Sequence, residues 1–335
     1  THGGEHVRKS ALGILLAVVA LLGGGWAGLK HFNIDPLQAV GLSSGGADGG
    51  HHGGVMLTAP PVQRTGDTIR IASFNIQVFG TTKSSKPQVM ERLAQIVRQF
   101  DVVAIQEVRS KDNGVLPQFV ELINSAGRHY DYVIGPRLGR TTSTEQYAFI
   151  FDTQSVEIDR RQLYTVSDPD DLLHREPLVG WFRVRGPNPS EAFTFTLVNI
   201  HTDPDEVKDE VDLLDDVFLA VQNDGRGEDD VILLGDFNAD DRHLGELGRL
   251  PNIAWCISGV PTNVKGTQLY DNLVYNARAT VEFSGRAGVY DFRRQFNLSE
   301  AEAEEISDHL PVWGEFNIRE GGVPGQIAAR PAAPR

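Results

Sequence analysis

The chain has 335 residues, of which 40% are hydrophobic and 23% charged, the composition of a globular protein with one large domain or two small ones. Its formal net charge of −14 excludes a protein that holds nucleic acid through a basic surface alone, although an enzyme whose acidic residues bind a divalent cation has the same charge balance. Cys256 is the only cysteine, so an intrachain disulfide is excluded.

The N-terminal segment predicts export from the cytoplasm. Arg8 and Lys9 precede an uncharged stretch that runs from Ser10 to Leu29. Its strongly apolar part has the length of a signal-peptide core, and the whole stretch just reaches the length that spans a bilayer. Positive residues before such a stretch stay in the cytoplasm. We therefore predict a signal peptide or a single membrane anchor at 1–30, with the rest secreted, periplasmic or anchored outside the cytoplasm.

Composition divides the remainder of the chain. Residues 31–67 are rich in Gly, Ser, His and Pro and predict a flexible linker, and residues 319–335 predict a disordered tail. Between them, residues 68–318 form one predicted domain. Amphipathic patterns in this domain predict helices at 86–100, where Pro87 suits the first turn, and at 205–223.

Short apolar runs predict strands between these helices. They include "IRIASFNIQVF", "DVVAIQEV", "YDYVIG", "QYAFIF", "FTFTLVNIH", "DVILLGDFN", "DNLVYN" and "PVWGEFNI". Many strands together with amphipathic helices favour layered α/β packing, with the helices outside.

Polar residues recur where these predicted strands begin or end. They are Asn75, Gln106, Glu107, Arg109, His201, Asp203, Asp236, Asn238, Asp271, Asp308 and His309. Carboxylate and amide oxygens are the ligands that Mg²⁺ and Ca²⁺ prefer, and a histidine beside a carboxylate acts as a general acid or base. Each residue by itself has an ordinary explanation, such as a turn or a surface ion pair. Their repetition at strand ends makes sense if those ends converge on one site.

A series of motifs connects the chain to a known family. In order, the chain carries "FNIQVFG", "AIQEVR", "GRTTSTEQYAFIF", "HREPLVGWF", "NIHTDP", "LLGDFNAD", "YDNLV" and "ISDHLPV". This series resembles the endonuclease/exonuclease/phosphatase superfamily and, within it, most closely the deoxyribonuclease I family. The motifs "GDFN" and "SDHLPV" are shared across the superfamily, whereas "GRTTSTEQY" and the Arg-Glu-Pro of "HREP" point to its nuclease branch.

The resemblance, which covers nearly all of residues 68–318, implies a fold, an activity and a cofactor. The fold is an α/β, four-layer α-β-β-α sandwich, in which two mixed, mainly antiparallel sheets lie face to face with helices outside. The activity is hydrolysis of DNA phosphodiester bonds by a monomeric, divalent-metal-dependent endonuclease. The cofactor is Mg²⁺, with Mn²⁺ or Ca²⁺ substituting or assisting.

The resemblance also implies roles for the matching residues. The implied metal ligands are Glu107, Asn75 and Asp308. The implied catalytic residues are the pairs His201–Glu145 and His309–Asp271, together with Asp236 and Asn238, which orient the phosphate or the attacking water. The implied DNA contacts are Arg109, Arg140, Arg175 and Asn238. His309 is assigned to deprotonate the water, with Asp236 as the rival base.

The chain departs from the family pattern in several places. The family's structural disulfide cannot form, because Cys256 is alone. Ser143 replaces an aromatic residue that stacks on the DNA sugar, and Gln77 replaces an arginine that often follows "FNI". Both changes weaken contact with the minor groove and leave the preference for duplex DNA open. The acidic loop 167–171 stands where the family has a calcium loop, but it is truncated.

Two other functions remain open at this point. A phosphatase or phosphodiesterase of the same superfamily, acting on lipid headgroups or small phosphoesters, is favoured by the apolar N-terminal segment. A catalytically inactive member kept as a binding module is disfavoured, because every residue of the implied catalytic and metal-binding sets is present.

Overall fold

The computed structural model describes residues 66–140, 144–322 and 325. The predicted leader or anchor at 1–30, the linker up to residue 65 and the loop position Ser143 lie outside the described residues. None of the helices formed by the described residues has the length and apolar character of a transmembrane span.

The first sheet has six strands. They are β1 (Thr68–Phe79), β2 (Val102–Val108), β3 (Tyr130–Ile134), β4 (Gln146–Asp152), β12 (Phe283–Val289) and β13 (Val312–Asn317). Their order is β12-β13-β1-β2-β4-β3. The central pair β1 and β2 is parallel, and every other pair is antiparallel.

The second sheet has seven strands. They are β5 (Val156–Ile158), β6 (Tyr164–Thr165), β7 (Leu178–Val184), β8 (Thr194–His201), β9 (Val231–Asp236), β10 (Ile253–Trp255) and β11 (Asp271–Asn276). Their order is β10-β11-β9-β8-β7-β5, and β6 also pairs with β7. Here too the central pair, β8 and β9, is parallel. All the quoted apolar runs form strands, whereas β5, β6, β7, β10 and β12 were not predicted.

Seven helices lie between the strands of the described part of the chain. They are α1 (Thr81–Ser84), α2 (Pro87–Val97), α3 (Val115–Asn124), α4 (Val207–Val211), α5 (Leu214–Gln222), α6 (Phe292–Gln295) and α7 (Glu300–Ile306). The helix predicted at 86–100 is α2, with Pro87 in its first turn. The single helix predicted at 205–223 was wrong, since α4 and α5 form instead. The buried Glu210 accepts hydrogen bonds from the backbone amides of His174 and Asp203, and these tertiary contacts fix α4 to neighbouring loops.

Aromatic side chains join the two sheets face to face. Phe149 of β4 and Phe182 of β7 are buried, and their ring centroids lie 5.5 Å apart at 80°. Phe182 stacks on Phe195 of β8, and Phe193 in turn stacks on Phe316 of β13 at 6.0 Å. Because this series runs from the first sheet through the second and back to the first, it fills the space between them. The predicted sandwich of two facing sheets is confirmed.

Helices cover the outer faces. On the first sheet, Phe79 of β1 contacts Phe119 of α3, with ring centroids 5.3 Å apart. On the second sheet, Phe218 of α5 belongs to a separate buried cluster with Val198 and Leu233 of the parallel strands. The layer order is therefore helices, sheet, sheet, helices, as predicted.

The start of the predicted disordered tail is attached to this sandwich. Arg319 forms an isolated β-bridge with Ala192. Glu320 accepts a hydrogen bond from the Thr194 amide at 3.2 Å, and the Gly321 amide donates to Glu282 at 2.5 Å. The tail from residue 326 onward lies outside the described residues.

Strand direction decides which residues meet. The parallel strands of each sheet end at the same edge, which is where Asn75, Glu107, His201 and Asp236 lie. The antiparallel neighbours β4, β11 and β13 begin at that edge, where the chain carries Glu145, Asp271 and His309. Residues from seven separate strands or strand ends are thereby brought to one end of the sandwich.

Candidate active site

The two parallel strands of the first sheet leave regular geometry at this end. The pairing of β1 with β2 shifts between Asn75 and Phe79, and the pairing of β2 with β4 shifts before Val108. Glu107 has a φ of +63° and the β-branched Val78 a φ of +49°. Such left-handed conformations are costly for non-glycine residues and cluster at functional sites. The irregularities re-aim side chains at the strand ends, as β-bulges do.

Hydrogen bonds hold Glu107 and Asn75 in these positions. Glu107 Oε2 accepts the Val78 amide at 2.7 Å, and the Asn75 amide nitrogen donates to Glu107 Oε1 at 3.3 Å. The same nitrogen donates to Asp236 Oδ2 at 3.0 Å. Because Asp236 ends β9, this bond ties the edge of the first sheet to the edge of the second.

Gly235 allows the second sheet to deliver Asp236. A Cβ at this position would lie 1.9 Å from the carbonyl oxygen of Ile200 on the neighbouring strand. Any side chain would therefore separate the ends of β8 and β9, which carry His201 and Asp236. The glycine of "GDFN" is required by this close approach.

His201 is held by a buried carboxylate. Its Nδ1 lies 2.7 Å from Oε1 of Glu145, which is fully buried. Arg175 and Arg109 also approach Glu145, at 3.4 and 3.5 Å. Burial raises the pKa of Glu145, but His201 and the two guanidinium groups outweigh it and lower the pKa overall. Conversely, burial lowers the pKa of His201, but Glu145 outweighs it and raises the pKa.

His309 is held in the same way by Asp271. Its Nδ1 lies 2.9 Å from Asp271 Oδ2, which also accepts the Thr262 hydroxyl at 2.7 Å. Burial lowers the pKa of His309, but the carboxylates of Asp271 and Asp236 outweigh it and raise the pKa to about 10. The two carboxylates therefore favour a proton on this imidazole.

The two imidazole rings converge on one oxygen atom. Nε2 of His201 lies 3.6 Å and Nε2 of His309 lies 3.5 Å from Asp236 Oδ2. The other oxygen of Asp236 accepts the Asn238 amide at 2.9 Å, and the side chain of Asn238 donates to the Thr202 carbonyl. The two imidazole rings and the Asp236 carboxylate therefore form one contiguous group, with the carboxylate oxygen between the rings.

A cavity of about 260 Å³ opens over this point. Its lining includes eight of the predicted site residues: Asn75, Glu107, Arg109, Arg175, His201, Asp236, Asn238 and His309. Glu145 and Asp271 lie behind their histidines and are almost fully buried. Arg109 spans the site, with its guanidinium 3.1 Å from Glu107 and 3.5 Å from Glu145.

Besides Glu145 and Asp271, two further predicted residues, Arg140 and Asp308, lie outside the lining. Arg140 is bound to Asp171 and Glu206, which keeps its guanidinium on the surface. Asp308 has a side chain that is 48% exposed, and its Oδ1 lies 3.9 Å from His309 Nε2. It is thus close to the site but open to solvent.

The donor atoms at the first sheet suit a divalent cation. The Glu107 carboxylate and the Asn75 side-chain amide line the cavity. The Asp308 carboxylate lies outside the lining, 3.9 Å from Nε2 of His309. Glu107 and Asp308 both act on the same ammonium group, that of Lys83, whose pKa is lowered to about 8 by burial despite their opposing effect. The two carboxylates therefore share one electrostatic environment. Hard oxygen donors of this kind fit Mg²⁺.

His174 and Ser307 belong to the site but were not predicted, and Asp203 was named among the polar strand ends without an assigned role. His174 and Asp203 line the cavity and contact each other at 3.3 Å. Ser307 donates to the carbonyl of Asn75 at 2.7 Å and accepts the amide of His309 at 3.0 Å. His174, Asp203 and Ser307 all lie within the quoted motifs, but sequence alone gives no sign of their contacts.

A buried amide pair joins the sheets beneath the cavity. The side chain of Gln106 donates to that of Asn199 at 2.6 Å, and both residues are fully buried. Gln106 belongs to β2 and Asn199 to β8, so the bond fixes one parallel pair against the other. This buried hydrogen bond beneath the site therefore opposes sliding of one sheet over the other.

Comparison with known proteins gives consistent results. The sequence pattern described as "Endonuclease/Exonuclease/phosphatase family" matches residues 72–309. Deoxyribonuclease gamma of Rattus norvegicus is 33% identical over 269 residues, which cover 75% of this chain and 85% of that protein. Deoxyribonuclease-1-like 1 of Bos taurus is 34% identical over 284 residues, which cover 81% of this chain and 87% of that protein.

Solved structures show the same fold. The humanized D. rerio TDP2 is 15% identical, with a TM-score of 0.52 over 75% of this chain and 99% of that chain. The human Nocturnin catalytic domain is 14% identical, with a TM-score of 0.51 over 77% of this chain and 96% of that chain. At these identities the similarity concerns the fold alone.

Proposed function

The chain belongs to the endonuclease/exonuclease/phosphatase family, and on this premise we propose that it is a divalent-metal-dependent endonuclease that hydrolyses phosphodiester bonds of DNA. The proposal is supported by the relatives named deoxyribonuclease, which are about one-third identical over most of the chain. One geometric observation carries it. Two histidines, each held by its own buried carboxylate, place Nε2 within 3.6 Å of the same Asp236 oxygen, and all three side chains line one cavity.

Glu107, Asn75 and Asp308 would hold the cation. When bound, Mg²⁺ withdraws charge from the phosphate oxygens and lowers the barrier to attack at phosphorus. Arg109 lines the same cavity and is already oriented by Glu107 and Glu145, so it is placed to contact a second phosphate oxygen. Arg175 stabilises the wall, since it donates to the carbonyls of His201 and Thr202.

The two histidine–carboxylate pairs divide the proton transfers. We assign His309, held by Asp271, to accept the proton of the attacking water, and His201, held by Glu145, to stabilise the departing 3′ oxygen or a non-bridging oxygen. Asp236 is the rival acceptor, since it lies beside both imidazoles. If His309 keeps its proton throughout, it acts instead as a cation that binds the phosphate.

Nicking of supercoiled plasmid by the purified full chain tests the proposal. We expect conversion to open circles in Mg²⁺, and complete loss of conversion in excess chelator, because the donor set near Glu107 is then left without its cation. Sphingomyelin and inositol phosphates, assayed side by side, test the phosphatase or phosphodiesterase alternative. Intact plasmid together with hydrolysis of either of these substrates would contradict the proposed DNA specificity.

Ser307→Ala tests the positioning of the site. The Ser307 hydroxyl links the strand end that carries Asn75 to the backbone of His309, so its loss should lower kcat for nicking about tenfold. KM should change little, since Ser307 does not line the cavity. Ser85→Ala is the matched control, because Ser85 is exposed and bonds only within its own turn among the described residues. Equal kcat values for the two variants would exclude this role.

We further propose that the enzyme acts outside the cytoplasm, released or tethered by residues 1–30, as a monomer. The charges of Arg8 and Lys9 before the apolar stretch support this orientation. Fractionation of cells that express the full chain would test the proposal, since nuclease recovered in the cytoplasmic fraction would contradict it.

A further inference from the structure

A second group of carboxylates lies at the far end of the sandwich. Asp230 directly precedes β9, whose other end is Asp236. Because β9 is six residues long, about 20 Å separates the two ends. Glu282 precedes β12 and Glu320 follows β13, and both lie at the same far end. One carboxylate oxygen from each of Asp230, Glu282 and Glu320 lies within 4.8 Å of the others.

These carboxylates are buried and incompletely bonded. Asp230 is 0% and Glu282 1% exposed. Within the described part of the chain, neither oxygen of Asp230 nor Oε2 of Glu282 has a hydrogen-bond partner. The Thr280 hydroxyl lies near enough to lower the pKa of Asp230, but it forms no hydrogen bond of normal geometry. An ionised carboxylate buried in this way costs several kcal/mol unless a cation compensates it.

Backbone amides orient two of the three carboxylates, those of Glu282 and Glu320. The Gly321 amide donates to Glu282 Oε1 at 2.5 Å, and Glu320 accepts the amides of Thr194 and Gly322. A Cβ at Gly321 would lie 2.6 Å from Val281, so the glycine lets the chain close over the group. Glu282 and Glu320 are thus oriented by backbone amides, whereas both oxygens of Asp230 and Oε2 of Glu282 are the unpartnered ones.

No positive side chain of the described residues compensates this charge through an ion pair. Three arginines near in sequence are engaged elsewhere, Arg226 with Asp224, Arg286 with Glu315 and Arg319 with Glu191. Two further carboxylates, those of Glu228 and Asp229, adjoin Asp230 and form a second close triad with it. Burial, together with Glu282 and Glu228, raises the pKa of Asp230 to about 9.

We propose that Asp230, Glu282 and Glu320 bind a Ca²⁺ ion. All the donors are oxygens, which excludes the nitrogen and sulfur sites typical of zinc. The three oxygens lie within 4.8 Å of one another, close enough to share one ion. Ca²⁺ accepts irregular sets of oxygen donors, whereas Mg²⁺ requires near-ideal octahedral geometry. The ion would join β9 of the second sheet to β12 and the segment after β13 in the first. It would cross-link the sheets in a chain whose single cysteine allows no intrachain disulfide.

Calcium titration of the chelator-treated full chain tests this proposal, independently of nuclease activity. The parent for the test is Glu107→Gln, which weakens the candidate cation site at the other end. In this parent, calorimetry should detect one Ca²⁺ site, and Ca²⁺ at 100-fold excess over its Kd should raise Tm by about 5–10 °C. Addition of Asp230→Asn and Glu282→Gln should abolish the binding and the rise in Tm. Their Tm without Ca²⁺ should not fall, because Asn and Gln keep the size of the replaced side chains and bring no charge into the buried group.

Glu121→Gln in the same parent is the matched control, since Glu121 is exposed, and it should titrate like the parent. Ca²⁺ binding that survives Asp230→Asn with Glu282→Gln would overturn the proposal, as would a parent that binds no Ca²⁺. If Glu107→Gln alone removes all Ca²⁺ binding, the ion lies at the active site and the proposal fails, while the proposed nuclease function stands.

Discussion

Replacement of His309 by Asn is expected to lower kcat for plasmid nicking about 10³-fold, equivalent to ~4 kcal/mol of lost transition-state stabilisation. Asn is uncharged and cannot exchange a proton, so the variant loses the group assigned to accept the proton of the attacking water. Asp271 would retain the Thr262 hydroxyl as a hydrogen-bond donor, so we expect the fold to persist. Steady-state nicking rates and a thermal unfolding curve measure the two effects.

His243→Asn is the matched control for this experiment. His243 also pairs with an aspartate, Asp240, but its side chain is 75% exposed and does not line the cavity. Its replacement should leave the nicking rate unchanged. The double variant of His201 and His309 should lose little more than the worse single variant, because both rings act on the same point. A His309→Asn enzyme within tenfold of the parent would show that Asp236, or another group, accepts the proton.

The Glu107→Gln variant should require at least about tenfold more Mg²⁺ for half-maximal nicking, and its kcat at saturating Mg²⁺ should fall about 10²-fold. Gln keeps the shape of Glu and can still accept the Val78 amide through its carbonyl oxygen, so the local backbone should be preserved. The change removes the negative charge that attracts the cation. A series of nicking rates against Mg²⁺ concentration separates the affinity effect from the rate effect.

Glu305→Gln provides the comparison for this series. Glu305 is 58% exposed and pairs with Lys86 on the surface, where a single ion pair contributes little. Its Mg²⁺ dependence should match that of the parent. An unchanged Mg²⁺ requirement in Glu107→Gln would move the cation to another set of ligands, of which Asp236, Asp271 and His309 form the most compact group near the site.

The largest discrepancies between sequence and structure have local causes. Strand β7, "LVGWFRV", was not predicted. Gly180 and Arg183 interrupt its apolar run and weaken the strand pattern. Strands β5, β6 and β10 have only two or three residues, too few to show a period in the sequence. They form because each pairs with a longer strand, β7 for β5 and β6 and β11 for β10. The break between α4 and α5 depends on the buried Glu210, whose partners lie in other loops.

The sequence by itself determined the alternation of strands and helices, the layered α/β class and the residue types gathered at strand ends. These follow from hydrophobic period and from side-chain chemistry, both of which are properties of short segments. It also carried enough motif order to identify the family, because the motifs are spread over nearly the whole domain.

Only the tertiary structure decided which groups meet. At the active site, the Nε2 atoms of His201 and His309 converge on Asp236 Oδ2, although the two histidines are 108 positions apart in the chain. At the far end, three carboxylates from separate segments also meet. Such contacts depend on strand direction, on the irregular backbone at Val78 and Glu107, and on the close approach that Gly235 permits. None of these is encoded within a single segment, because each arises from packing one part of the chain against another.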